Sequence, residues 1–130
     1  MKIKEVGATI YICEGTKERQ NKLGSLVRRV ELCNTNPKII QLFLKYLRTF
    51  NIDEKKLRMK LFIHYGDNEE ETKQYWSKIT GIPLNQFIKT QWRKTSKWRK
   101  RRLSHGTIAV RLYNAEIFKL IMKDIDLIFS

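Results

Sequence analysis

The carboxylate of Glu14 stands at the end of a short apolar segment, and of all the side chains it is the one that most suggests chemistry. The segment runs from Gly7 to Gly15 with the sequence GATIYICEG. This pattern predicts a short helix that ends at the glycine. Hard divalent cations take oxygen ligands, so Glu14 is a candidate metal ligand. The alternative is a solvated residue at a helix end, and the nonapeptide alone leaves both open.

Small residues in this segment predict that a second backbone packs closely against the helix. Thr9 and Cys13 are four residues apart and share one face, while Ala8, Ile12 and Gly15 lie along one side. Small side chains at this spacing allow two helices to approach each other. The helix would then carry Glu14 to the end of a tightly packed contact.

The charge of the chain indicates a polyanionic partner. The 130 residues include 27 Lys and Arg and 13 Asp and Glu, which gives a net charge of +14. This length predicts a single domain over 1–130, and such a surplus on one small domain favours nucleic acid. The hydrophobic fraction of 42% argues against a disordered basic tail.

Several other classes of protein are disfavoured by the sequence. No apolar run could span a bilayer and the N-terminus lacks a secretory signal, so we expect no membrane partner and an intracellular location. Cys13 and Cys33 are too few for a disulfide scaffold and suit buried thiols. His64 and His105 have no Cys or second His at ligand spacing, so soft-ligand metal sites are not expected.

Hydrophobic periodicity predicts an α+β fold. Apolar residues alternate through Lys56–His64, and Asn36 followed by Pro37 is typical of a helix start. The chain divides into four strands and about four helices, which predicts one four-stranded, mostly antiparallel sheet with helices over one face. The predicted strands are Leu26–Cys33, Lys56–His64, Phe87–Lys94 and Thr107–Tyr113; the helices after the first are Pro37–Phe50, Glu69–Thr80 and Ala115–Phe129.

A basic segment lies between the last two predicted strands. From Lys89 to Arg102 there are eight Lys or Arg residues and no acid. A basic hairpin loop can follow a phosphate backbone, and its Trp residues, Trp92 and Trp98, can pack on sugars or bases. The alternative is a solvated loop that serves solubility alone. Beyond Arg93, the predicted nucleic-acid contacts of this segment are Lys94, Lys97, Trp98, Arg99, Lys100, Arg101 and Arg102.

Polar residues on the strands predict a second basic surface. They should point away from the buried side of the sheet if the strand registers hold. A β-ribbon can enter the major groove, where Arg and Lys recognise guanine and Gln recognises adenine. An exposed sheet face can also be merely polar. The residues concerned are Arg29, Arg58, Lys60, His64, Lys89, Gln91, Arg93 and Arg111.

The first segment, the basic sheet and the covering helices together resemble the LAGLIDADG homing endonucleases. Gly7–Gly15 aligns with the motif that names the family without a gap. Ala8 and Gly15 match outright, Ile10 is a conservative apolar match, and Glu14 stands where the family has its metal-binding acid. The resemblance implies a LAGLIDADG endonuclease-like fold.

One motif per chain would imply a homodimer that cuts double-stranded DNA at a roughly palindromic site. Glu14 from each subunit would hold Mg²⁺, and a water would attack the phosphodiester in line. Lys17, Lys60 and Lys89 are the candidates for neutralising the developing charge. The motif helices would meet through Ala8, Thr9, Ile12 and Cys13. Two other hypotheses stay open, a non-catalytic DNA-binding protein on the same fold and an RNA-binding module.

The sequence also departs from the family pattern. Asn34–Pro37 followed by Ile39–Leu44 looks like the family's strand-to-helix junction, but only one strand is predicted before it, where the family has a hairpin. The helix Glu69–Thr80 is additional. Glu14 replaces the commoner Asp, which moves the carboxylate outward by one methylene.

Overall fold

The computed structural model describes residues 2–14, 19–20, 26–27, 29–94 and 105–129. These residues form an α+β fold with four helices and a four-stranded mixed sheet, which confirms the predicted class. The helices are α1 (Ile3–Glu14), α2 (Pro37–Arg48), α3 (Glu69–Thr80) and α4 (Ala115–Phe129); the strands are β1 (Arg19–Gln20), β2 (Leu26–Val27), β3 (Val30–Asn34), β4 (Arg58–His64), β5 (Gln91–Arg93) and β6 (Thr107–Leu112).

The main sheet has the strand order β3-β6-β4-β5. The β3–β6 and β6–β4 pairs are antiparallel, and β4 and β5 run parallel. The short strands β1 and β2 form a separate antiparallel pair. Two of the three pairs in the main sheet are therefore antiparallel, in agreement with the sequence-based expectation.

All four helices pack on one face of the sheet, because the apolar side chains of the strands alternate toward that face. In β4, Met59, Leu61 and Ile63 are buried while the residues between them are half-buried. They join a core that includes Phe43 of α2 and Phe118 of α4. This alternation is the one predicted for Lys56–His64.

Helix α1 lies against the same chain's α2 and α4 and also touches β3. Ala8 and Tyr11 are fully buried in the core. Gly7 allows the close approach to α2, since a Cβ at this position would lie 2.0 Å from Cγ of Tyr46. The Tyr11 hydroxyl accepts a hydrogen bond from the backbone N–H of Glu31 at 3.4 Å, which links α1 to the sheet.

Local signals fix the ends of the next two helices. The side chain of Asn36 accepts a hydrogen bond from the Lys38 N–H at 2.9 Å, with Pro37 in the first turn of α2. Asn68 caps α3 in the same way, accepting from the Glu71 N–H at 3.0 Å. Gly81 ends α3 with φ of 75°, a conformation that favours glycine.

The prediction of a single strand before α2 was wrong. The predicted strand Leu26–Cys33 divides into β2, which pairs with β1, and β3, which pairs with β6. The first two strands have only two residues each, so they are too short for an alternating apolar pattern to predict them.

The prediction that a hairpin joins the last two strands was also wrong. Strand β5 pairs with β4, and β4 lies between β5 and β6. The ladder of β5 covers only Gln91–Arg93, and Phe87 makes an isolated parallel bridge with Met59. The physical reason is α3: a helix between two strands provides the crossover that a parallel pair needs. No described helix has the length and apolar character needed to cross a lipid bilayer.

Candidate nucleic-acid interface

The candidate site is the face of the main sheet opposite the four helices, here called the outer face. Strand registers place its side chains in rows across the sheet. The first row is Glu31, Arg111 and Arg58; the second is Cys33, Ala109 and Lys60; the third is Thr107, Phe62 and Gln91; the fourth is His64 and Arg93. The predicted polar residues of the three longer strands thus share one surface.

Glu31 neutralises part of the charge in the first row. Its carboxylate accepts a hydrogen bond from Nε of Arg111 across the β3–β6 ladder, and Arg29 Nη2 lies 3.3 Å from Oε1. Glu31 is only 8% exposed, so water screens these ion pairs weakly. Arg29 also donates to the Tyr113 hydroxyl at 3.1 Å. Arg29 and Arg111, both predicted as DNA contacts, are therefore held within the protein.

Arg58 is held in a different way, by backbone oxygens at the start of β4. Its Nη1 donates to the carbonyl of Lys55 at 2.7 Å and to that of Leu57 at 2.8 Å. These two hydrogen bonds occupy N–H donors of the guanidinium at the start of the strand. Base recognition by Arg58 would require these hydrogen bonds to be exchanged.

Lys60 and Arg93 surround an aromatic ring in the middle of the outer face. The Lys60 ammonium lies 5.3 Å from the ring centroid of Phe62, and the Arg93 guanidinium carbon lies 4.8 Å from it. No described carboxylate lies within ion-pair distance of either cation. Their positive charge is therefore available to an anionic partner.

The remaining predicted contacts of this part of the outer face lie on or beside β4 and β5. Gln91 is exposed beside Phe62, and Lys89 and Lys94 are exposed on either side of β5. His64 is half-buried at the end of β4, where its backbone N–H donates to Oδ2 of Asp67 at 2.9 Å. Several residues predicted to contact or neutralise the nucleic acid lie outside the described part of the structure: Lys17, Lys97, Trp98, Arg99, Lys100, Arg101 and Arg102.

Trp92 does not belong to the outer face. It pairs in register with Ile63, whose side chain points into the core. Its ring stacks on Tyr65 with centroids 5.7 Å apart. The interpretation of Trp92 as a surface for sugars or bases is therefore corrected, because alternation along β5 turns it to the helix side.

Helix α1 ends at Glu14, as the sequence predicted, and its last turn contains no basic residue. The negative end of a helix dipole favours a nearby cation. The side chain of Glu14 is outside the described part of the structure. Within the described residues, no group of three or more His, Cys, Asp or Glu side chains could hold a metal ion. One chain thus offers this single predicted ligand at the end of α1.

The predicted interface residues of α1 fall on two sides of the helix. Thr9 and Cys13 are exposed and Ile12 is half-buried, but Ala8 is fully buried in the chain's own core. The prediction that Ala8 lies in a dimer interface is therefore wrong. Ala8 is next to Gly7, on the side of α1 that packs against the chain's own core. The Thr9 hydroxyl donates to the Glu5 carbonyl at 2.7 Å, a bond within the helix.

Burial raises the pKa of two side chains near the sheet, Tyr11 and Cys33. Burial raises the pKa of Tyr11 to about 12. Burial also raises the pKa of the Cys33 thiol, with the Glu31 carboxylate acting in the same direction and Arg111 opposing it. The Cys33 thiol therefore stays protonated near neutral pH and is not a metal-binding thiolate there.

Sequence reasoning missed two members of the site. Alternation through Lys56–His64 places Phe62 on the same side of its strand as Lys60 and His64, but the approach of Arg93 to its ring depends on the β4–β5 register. Glu31 stands two residues from Arg29, a spacing that indicates an ion pair, whereas Arg111 is distant in sequence.

A comparison of the chain with protein-family models, curated proteins and solved structures gives no match.

Proposed function

We propose that this chain is a homodimeric, site-specific DNA endonuclease of the LAGLIDADG type, in which the outer face binds duplex DNA. The observation that carries the proposal is the pair Lys60 and Arg93, two cations on the outer face without described carboxylate partners. A net charge of +14 supplies the long-range attraction. A phosphate backbone is the polyanion that a twisted basic sheet can follow.

The element order supports the LAGLIDADG part of the proposal. A motif-like helix is followed by the short antiparallel pair β1–β2, a sheet strand and a second helix. The pair forms a small sheet of its own, but its place between the two helices supports the family pattern that the resemblance implies. Helix α3 and the parallel strand β5 remain additions to it.

The two sides of α1 support a dimer. Gly7 and Tyr11 attach the helix to its own domain, while Thr9 and Cys13 leave a small-residue face exposed to solvent. Two such faces could pack against each other around a twofold axis, because small side chains allow helix backbones to approach. Each chain would then bring one Glu14 to the shared end of the two helices.

The chemistry of the donor set fits a divalent cation in that dimer. Two Glu14 carboxylates and two helix C-termini are oxygen donors of negative character, as hard cations require. Mg²⁺, when bound, would stabilise the charge that develops on the phosphate oxygens during hydrolysis. Lys60 and Lys89 would hold the DNA backbone near the reacting phosphate and help to neutralise it. The outer face would set the position of the duplex.

Cleavage of a randomised duplex library, with sequencing of the cut ends, tests the proposal. With Mg²⁺, the wild-type protein is expected to cut a subset of sequences, and Glu14→Gln is expected to abolish cutting while binding persists. The matched control is Glu5→Gln, which removes an exposed carboxylate at the other end of α1. Light scattering should show a dimer.

Three outcomes would contradict parts of the proposal. Tight binding without cutting of any sequence would leave a non-catalytic DNA-binding protein. A monomer at all concentrations would remove the shared metal site. Displacement of the duplex by structured RNA at equal concentration would favour the RNA-binding hypothesis.

A further inference from the structure

Phe62 is a large apolar side chain on a face whose neighbouring positions are polar. It lies on β4, with Thr107 of β6 on one side and Gln91 of β5 on the other. It is half-buried, and the core lies on the opposite side of the sheet. Among the described residues, Phe62 belongs neither to the hydrophobic core nor to the side chains packed against it. We therefore consider a contact with a ligand on the outer face.

The two cations beside Phe62 restrict what that contact can be. Lys60 precedes Phe62 by two residues along β4, and Arg93 is in register with His64, two residues beyond it. The cations therefore approach the ring from opposite ends along the strand, with their charged groups 5.3 and 4.8 Å from its centroid. A base that stacked on the ring would have to displace one of them. A contact with the edge of the ring would not.

Duplex DNA offers one group that suits such an edge. In the major groove, the C5-methyl of thymine is the apolar group that distinguishes base pairs, and Phe is one of the side chains that contact it. Gln91 is exposed on the adjacent strand, about 5 Å away across the β4–β5 pair. Glutamine forms two hydrogen bonds with adenine. The two neighbouring side chains thus match the two halves of A·T recognition.

We infer that Phe62 and Gln91 form a recognition unit for A·T pairs, in which Phe62 contacts a thymine methyl and Gln91 hydrogen-bonds adenine. Lys60 and Arg93, whose charged groups lie 5.3 and 4.8 Å from the ring centroid, bind the flanking phosphates. This inference rests on the proposed binding of duplex DNA by the outer face, and it names the base pairs that the centre of that face selects.

Thymine-to-deoxyuridine substitution tests the inference on the intact protein. Selection from a randomised duplex library supplies the preferred site, and each thymine is then replaced in turn by 2′-deoxyuridine, which removes only the methyl group. At one thymine in each half-site, wild-type affinity should fall about fourfold, the effect of losing one buried methyl. Phe62→Ala should bind both versions of that site equally. Gln91→Ala should lose preference for adenine at the same or the adjacent pair.

Arg93→Ala is the matched control, since it should weaken binding to every sequence and keep the dependence on the methyl group. If no deoxyuridine substitution changes wild-type affinity while the duplex still binds, the inference is overturned and the proposed function stands. Equal sensitivity of wild type and Phe62→Ala at every thymine would also overturn it. If the protein binds no duplex DNA, the proposed function and this inference fail together.

Discussion

The carboxylate of Glu31 pairs with the guanidinium of Arg111 across the β3–β6 ladder, and Arg29, the residue just before β3, approaches the same carboxylate. One acid thus restrains two arginines that face the proposed DNA partner. Lys60 and Arg93, two cations of the outer face that have no described carboxylate partner, lie on β4 and β5, toward the opposite edge of the same face. This arrangement makes Glu31 an internal competitor of a phosphate.

Glu31→Gln is expected to strengthen binding to all duplex sequences. The change releases Arg29 and Arg111 for phosphate contacts, so the logarithm of affinity should depend more steeply on salt, by about one to two units of slope for each chain. Fluorescence anisotropy across a salt series measures both quantities. The matched control is Glu54→Gln, which removes the same charge from the Arg48–Glu54 pair, away from the outer face. Equal gains in the two variants would show that net charge alone acts.

Gly7→Ala should destabilise the protein, although alanine is the better helix former. At an exposed helix position the change would stabilise by about 1 kcal/mol. Here the new methyl would lie 2.0 Å from Cγ of the Tyr46 ring, so α1 must shift away from α2. Overpacking of this kind costs about 1–3 kcal/mol. Urea denaturation measures the loss, with Thr9→Ala on the exposed side as control. A stabilised Gly7→Ala variant would mean that α1 does not dock on α2.

Much of the fold could be predicted because local signals agree with the tertiary structure. The apolar residues of Lys56–His64 alternate because one side of β4 is buried, and Asn36 with Pro37 marks the start of α2. The bounds predicted for α3 and α4 match the structure. The sequence also contained an unused signal for the β4–β5 pair, since α3 between two strands is the usual crossover of a parallel pair.

The candidate site was less accessible to prediction because it depends on contacts between strands. The strand register decides which cations remain free of a carboxylate and can bind a phosphate. Arg111, for example, meets Glu31 only because β6 pairs with β3. Trp92 was placed with the basic segment, but its strand turns it toward the core. The alternation of side chains within one strand predicts which of them share a face of the sheet. Which side chains from different strands contact each other can be predicted only when the order of the strands is known.

The stability of the fold should fall at alkaline pH because of buried tyrosines. The pKa of Tyr11 is raised from 10.0 to about 12, mainly by burial, and the pKa of Tyr46 is raised by burial and by its hydrogen bond to Asp124. The folded state therefore holds these protons more tightly than the unfolded state. Their stabilising effect is complete below pH 10 and is lost as the pH rises through the folded-state pKa.

For Tyr11 alone the loss between pH 10 and 12 is on the order of 2–3 kcal/mol. Urea denaturation at successive pH values measures the loss, and tyrosinate absorbance follows the ionisation. Tyr11→Phe should flatten the decline, whereas Tyr113→Phe, at an exposed ring, should leave it in place. A decline of equal steepness in Tyr11→Phe would assign it to other groups.

The two cysteines should report directly on whether α1 forms a dimer contact. Cys13 is exposed on the small-residue face of α1, whereas Cys33 is half-buried and burial raises the pKa of its thiol. In dilute protein, a thiol reagent should therefore modify Cys13 several-fold faster than Cys33. As the protein concentration rises and chains associate through Thr9 and Cys13, modification of Cys13 should slow while that of Cys33 stays unchanged, so Cys33 serves as the internal control. Mass spectrometry of digested samples measures both rates. If Cys13 reacts equally fast at concentrations where light scattering shows a dimer, the chains associate through another surface and Glu14 residues from two subunits do not share a metal.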